Sequence, residues 1–241
     1  MTIITNSNYT KKIINLGQKY IIVNNGYISH FDTDELIFLR KFLRSENIKN
    51  YKYMPNILEH KLTINGEKIG FDSIYAKNNL TIPNGGGPSE LSESMSMDIM
   101  SNLFNINNII FETHVKYEYQ TFKVDYLFQS PIFNNYIAVS ATRAFQWELM
   151  SHGKLYDEYI AERHIEKKIS SIIKARNSVC NEHYFDKAIL HIFCENYNLY
   201  KYLYNSFQKI AKKYNIEDSI ICILSICNHK SIYNNDFSIV I

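Results

Sequence analysis

Three runs rich in aromatic and β-branched residues follow one another closely, Asn108 to Tyr119, Phe122 to Phe128 and Tyr136 to Arg143. Such runs read as strands. A helix precedes them over Ser89 to Phe104, with Leu91, Met95, Ile99 and Leu103 four apart on one face and Ser89 placed to cap it. After an aromatic loop containing Trp147, Glu158 to Arg176 reads as a second helix that turns Ile165, Ile169, Ile172 and Ile173 inward. The apolar runs Ala188 to Cys194 and Ser219 to Cys227 fit buried strands, with a helix from Leu199 to Tyr214 between them and a peripheral tail from Asn228. The order helix, strand, strand, strand, helix, strand, helix, strand restricts the chain to an α/β layered fold, α+β overall, with the sheet at its centre.

Upstream of that order, Tyr20 to Val23 and Tyr27 to Phe31 flank Asn24-Asn25-Gly26, a hairpin signal. Asp32 or Thr33 can cap a helix in which Leu36, Leu39, Phe42 and Leu43 recur at helical spacing, leaving Arg40, Lys41 and Arg44 outside. A second hairpin is expected around Asn65-Gly66. These elements form a small N-terminal α+β extension, residues 1–82, before a core of residues 83–241; the break falls at Pro83 to Pro88.

Composition narrows the function classes. Hydrophobic residues are 46% and charged residues 21% of the chain, as in soluble globular proteins, and no apolar run approaches the roughly 20 residues of a membrane helix. The first residues carry no secretory pattern, so an intracellular place, cytoplasmic or nuclear, is expected, with no membrane partner. The four cysteines form no CxxC pair and no histidine completes a zinc spacing. A net charge of +2 makes any phosphate-binding surface a local patch.

Asp125 is the sharpest candidate for chemistry, because aspartate is disfavoured in strands and inside an apolar run it asks for a partner or ligand. Strand alternation puts Glu112, His114 and Lys116 on one face, and Lys123 with Asp125 on one face of the next strand. Gly85 to Gly87 precede a helix whose free N–H groups suit a phosphate, although a plain connection has the same composition. The basic side chains Lys167, Lys168, Lys174 and Arg176 fit a solvated helix face, and the aromatic group Phe145, Trp147, Tyr156 and Tyr159 fits a core, with stacking on bases as the alternative.

The αβββαβ order from about Gly85 to Cys227 resembles the core of the restriction-endonuclease-like fold, the PD-(D/E)XK nuclease superfamily. In that family a helix glutamate, a second-strand aspartate and a third-strand acid-X-lysine surround a divalent metal. Glu90 or Glu93 matches the helix acid, Asp125 in Lys123-Val124-Asp125-Tyr126 matches the aspartate, and Ser140-Ala141-Thr142 stands where the acid and lysine belong. The runs GGGPSELSE, FETHVKYEY, KVDYLF and VSATRAF also resemble a pattern in uncharacterised eukaryotic proteins whose third strand ends in VSVTRA.

The resemblance implies a metal-dependent nuclease or phosphodiesterase acting on DNA or RNA. Magnesium or manganese would be held by Glu93, Glu112 and Asp125, since hard cations take carboxylate oxygens. Glu112, Asp125 and Lys123 are then the catalytic group, with Lys123 first in line for the missing third-strand lysine and Lys116 and Lys168 after it. Ser140, Thr142, Arg143 and Lys168 are the expected substrate contacts, although alternation turns Arg143 away from Ser140 and Thr142. A catalytically inactive relative that binds nucleic acid or a protein partner is the alternative, and the lysine's absence favours it.

Overall fold

The computed structural model describes residues 2–5, 12–24, 26–44, 56–65, 68–82, 89–119, 122–133, 135–145, 155–234 and 238–240. Gly85 to Gly87, the break at Pro83 to Pro88, Gly66 of the second expected turn, and Trp147 lie outside these residues.

The described strands are β1 (Thr2–Thr5), β2 (Lys12–Asn15), β3 (Lys19–Asn24), β4 (Tyr27–Asp32), β5 (Ile57–Ile64), β6 (Lys68–Gly70), β7 (Asn108–Phe111), β8 (Tyr126–Gln129), β9 (Tyr136–Ala144), β10 (Phe185–Cys194), β11 (Ile220–Ile226) and β12 (Ser238–Val240). The helices are α1 (Thr33–Leu43), α2 (Ile74–Asn79), α3 (Glu90–Phe104), α4 (Glu158–Ser178), α5 (Tyr197–Tyr214) and α6 (Ser231–Asn234). One sheet of ten strands runs β1-β2-β3-β4-β5-β11-β10-β9-β8-β7. It is mostly antiparallel; only β5-β11, β11-β10 and β10-β9 pair in parallel. The strands leading into α4 and α5 thus pair in parallel with the strands that follow, as crossover helices require.

Alternation along the central strands feeds two cores. Ile137 and Val139 of β9, Ile189 and Phe193 of β10, and Ile221 and Ile223 of β11 pack with α1, α3 and α6 on one face. Ala138, Leu190, Ile192, Cys222 and Leu224 meet Ile165, Ile169 and Ile172 of α4 and Leu203, Phe207 and Ile210 of α5 on the other. The result is helix, sheet, helix in three layers.

Several local expectations hold. β3 and β4 pair antiparallel with Asn24 opposite Tyr27, and Gly26 takes φ +93°, the left-handed conformation that a two-residue hairpin turn needs. Asp32 caps α1 by accepting from the N–H of Asp34 (2.8 Å) and Glu35 (3.1 Å). The N-terminal strands do not form a separate sheet: β5 pairs with β11, so they extend the central one.

Others are corrected. β6 does not fold back on β5; it pairs in parallel with β12, a two-stranded sheet made from distant parts of the chain. The tail is therefore not peripheral. Ile232 and Tyr233 are buried, and Arg143 donates to the carbonyls of Ile232 (3.2 Å) and Tyr233 (3.0 Å). Arg40, expected outside, donates instead to the carbonyl of Leu103 (3.1 Å) at the end of α3, where orphan carbonyls need donors. Arg143→Ala should lower the unfolding free energy by about 1.5–3 kcal/mol, the range for hydrogen bonds to a charged group, in urea denaturation. An unchanged midpoint would show that the tail is held without it.

α3 buries more than its expected apolar stripe. Every residue from Leu91 to Met100 is buried, including Ser92, Glu93, Ser94, Ser96 and Asp98, so the helix runs through the interior with no exposed face over that length. Ser92 and Glu93 bond Ser89 at the start of the helix, and Ser94, Ser96 and Asp98 are satisfied from elsewhere in the chain, as burial demands. Ser96 shares hydrogen bonds with Tyr126 Oη and His191 Nδ1, both 2.8 Å; His191 Nε2 meets Ser225 Oγ at 2.6 Å, and Ser225 meets His60 Nδ1 at 2.5 Å. Burial pushes both imidazoles well down, His191 to about 3, so they remain neutral. This buried chain of side chains fixes α3 against β8 at the residue after Asp125.

Candidate active site

β7 ends at Phe111 and β8 begins at Tyr126, one residue short of each expected acid. Glu112 opens a short 3₁₀ turn, Glu112–His114, and Asp125 sits in a bend. Strand alternation therefore does not govern them. They are brought together by the backbone instead: the N–H of Glu112 donates to the carbonyl of Asp125 (3.0 Å), and the N–H of Asp125 donates to the carbonyl of Val139 (3.0 Å).

A small cleft at this end of the sheet is lined by Asn79, Ile82, Glu93, Phe111, Glu112, Thr113 and Asp125. Three of the acids read from the sequence thus converge from three elements. Glu93, on the first turn of α3, is 5% exposed and accepts from Ser89 Oγ. Asn79 of α2, which sequence periodicity did not mark, donates to Ser94 Oγ (3.0 Å) and to the carbonyl of Glu90 (3.3 Å), fixing one wall. Glu90 itself is exposed and does not line the cleft.

The third strand contributes in a different way from the acid and lysine of the resembled family. Asp125 Oδ2 accepts from Ser140 Oγ (3.1 Å) and from the N–H of Ala141 (2.6 Å). Its other oxygen has no hydrogen-bond partner among the described residues. Thr142 Oγ1 meets His164 Nε2 (3.1 Å), and His164 Nδ1 meets Tyr156 Oη (3.0 Å), joining β9 to α4. Burial, then Lys168 and Lys167, pushes His164 down to about 4, so it is a neutral strut. Arg143 points the other way, to the tail.

The electrostatics follow from crowding. Burial, then the charges of Asp125 and Glu112, raises the Glu93 carboxyl to about 7. Burial and Asp125 raise Glu112, while Lys123 and Lys168 oppose the rise. Burial also raises Asp125, against Lys168, the Ala141 N–H and Ser140. Lys168 therefore acts on all three acids, whereas Lys123 acts on Glu112, 4.0 Å away, with its side chain 43% exposed. The order of the candidate lysines changes accordingly: Lys168, one turn after His164 on α4, stands ahead of Lys123. Lys116 is turned to Glu182 (2.9 Å) and plays no part, and His114 is exposed.

The donor chemistry suits a hard divalent cation. Among the described residues no group of three or more His, Cys, Asp or Glu side chains is arranged as a ready-made metal site. Magnesium does not require one, since it is usually held by one or two carboxylates with waters and substrate phosphates. The free oxygen of Asp125 and the carboxylate of Glu112 fit that pattern, with the acidic Glu93 beside them.

Among the described residues no helix is long and apolar enough to cross a membrane. No protein-family model matches the chain, and neither a curated protein nor a solved structure matches it.

Proposed function

We propose that this cleft hydrolyses phosphodiester bonds of nucleic acid with magnesium or manganese, on a divergent restriction-endonuclease-like core. The observation that carries the reading is the meeting of Glu93, Glu112 and Asp125, from three elements, with Lys168 as their common cation. Supporting it, α3, β7, β8, β9, α4 and β10 follow in the expected order, with β7-β8-β9 antiparallel and β9-β10 parallel.

A divalent ion bound by Asp125 and Glu112 would polarise a phosphate and lower the pKa of water. The chain supplies the rest. Ser140 Oγ and the Ala141 N–H clamp one oxygen of Asp125, so its second oxygen is held in a fixed orientation. Glu93, raised to about 7, can accept or return a proton near neutral pH. Lys168 offsets the acids, without lining the cleft itself, and is the candidate to stabilise charge that develops on a phosphate. His164, bonded to Thr142, fixes the helix that carries it. One observation favours the binding-only alternative: β9 brings no cation to the cleft, because Arg143 is committed to the tail.

With manganese and mixed single- and double-stranded DNA and RNA, Lys168→Ala should slow cleavage by a factor on the order of 10², the usual effect of losing one transition-state charge contact. Lys123→Ala should slow it by less than about tenfold, as for an exposed charge at the edge. Equal rates for wild type and Lys168→Ala would remove Lys168 from the chemistry.

A further inference from the structure

Helix α4 carries a second pattern on the side turned away from the sheet. Tyr159, Arg163, Lys167, Ser170 and Lys174 recur three or four residues apart and so form one stripe, opposite the buried Ala161, Ile165, Ile169 and Ile172. At one end Tyr159 is 66% exposed, with the Arg163 guanidinium carbon 5.8 Å from its ring centroid. At the other, Lys174 Nζ lies 4.5 Å from the ring centroid of Phe122, itself 49% exposed.

Two of the acids next to the stripe are already neutralised, while Glu158 at the start of the helix has no ion pair among the described residues. Glu162 is paired with Lys209 (2.6 Å) and Glu166 with Lys213 (2.5 Å). Arg163, Lys167 and Lys174 have no acidic partner among the described residues, so the face shows a net positive charge. Charged side chains alone would suit a solvated helix, but large exposed rings beneath cations at both ends do not serve solvation. The stripe and the cleft share no lining residue, but short links relate them. His164 lines the same shallow groove as Tyr159, Arg163 and Lys167, and after Phe122 the chain runs through Lys123 to Asp125.

We propose that this stripe is a track for single-stranded nucleic acid, with phosphates on Arg163, Lys167 and Lys174 and bases stacked on Tyr159 and Phe122. The proposal rests on the nuclease reading of the cleft for its purpose, and on the stripe alone for binding. Positive grooves with exposed rings are how proteins hold single strands, since an unpaired base offers a π-face that a duplex hides. From Tyr159 to Lys174 the helix spans about 22 Å at 1.5 Å per residue, long enough for several nucleotides.

The test is fluorescence anisotropy of a labelled 12-residue oligothymidylate in EDTA, so that binding is read without cleavage. Wild type should bind with a log–log salt slope of about −2, the value for three phosphate contacts on a single strand. Tyr159→Ala and Phe122→Ala should each weaken binding by about 5- to 150-fold with unchanged circular dichroism. Arg163→Ala with Lys167→Ala should flatten the salt slope, and Lys116→Ala, whose ammonium is turned to Glu182, should leave binding intact. Loss in the ring variants without any cleavage by wild type would keep the track and sink the catalytic reading. Cleavage with ring variants that bind as wild type would sink the track alone. No binding by wild type, or tighter binding of duplex than of single strand, would also overturn it.

Discussion

Asp98→Ala should lower the free energy of unfolding by about 3–5 kcal/mol, since several buried donors lose their acceptor at about 1–3 kcal/mol each. Asp98 is fully buried in α3. Its Oδ2 accepts from Asn24 Nδ2 (2.6 Å), from Tyr27 Oη and from Asn102 Nδ2 (3.4 Å), and its Oδ1 accepts from the N–H of Ser73 (2.6 Å). One carboxylate therefore ties the β3–β4 hairpin and the entry to α2 to the interior helix. Alanine would leave several donors without an acceptor in a dry core, and each costs more than the bond it replaces.

The pH dependence separates charge from shape. Burial raises the folded pKa of Asp98 to about 6, while Tyr27 and Ser73 hold it down; the ordinary value is 3.8. Between 3.8 and about 6 the unfolded chain releases this proton first, so Asp98 contributes less stability as pH rises through that window, and its contribution is level above it. Asp98→Asn keeps the shape and does not titrate. Its deficit relative to wild type should be larger at pH 5 than at pH 7 in urea denaturation. A deficit that grows with pH, or an alanine variant within about 1 kcal/mol of wild type, would contradict this account of the network.

The sequence was most readable where structure is local. Asn24-Asn25-Gly26, the Asp32 cap and the Ile165, Ile169, Ile172 stripe each depend on neighbours within a few residues, and each is found. The apolar stripe of α3, Leu91, Met95, Ile99 and Leu103, is buried as its spacing implies, but that spacing says nothing of the serines and Asp98, which are buried as well. Their partners Tyr27, Asn79, Tyr126 and His191 are spread across the chain, and no periodicity announces such pairs. The pairing of β6 with β12 escaped for the same reason: a turn signal at Asn65-Gly66 is local, whereas the actual partner is at the far end of the chain.

The site was legible in part. Asp125 and Glu112 stand out as acids within apolar runs and Glu93 through the family resemblance, and all three line one cleft. Strand alternation does not set the faces of Glu112 and Asp125, since β7 ends one residue before Glu112 and β8 begins one residue after Asp125. Lys123 stood out by nearness in sequence to Asp125. Lys168 is near only because α4 packs back on the sheet, through contacts such as Thr142 with His164.

Asp125→Asn should abolish cleavage, by at least about 10³-fold, while the protein stays folded. Asparagine preserves the side chain's shape and can still accept from Ser140 Oγ and the Ala141 N–H, but it removes the charge that a divalent ion and an ordered water require. The measurement is the rate at which purified protein cuts labelled single- and double-stranded DNA and RNA in manganese, for wild type and Asp125→Asn prepared identically. Manganese-dependent cutting by wild type, stopped by EDTA and lost in Asp125→Asn, is the predicted result. Equal cutting by both proteins, or none by wild type on any of the four substrates, would contradict the assignment of this cleft as a nuclease site.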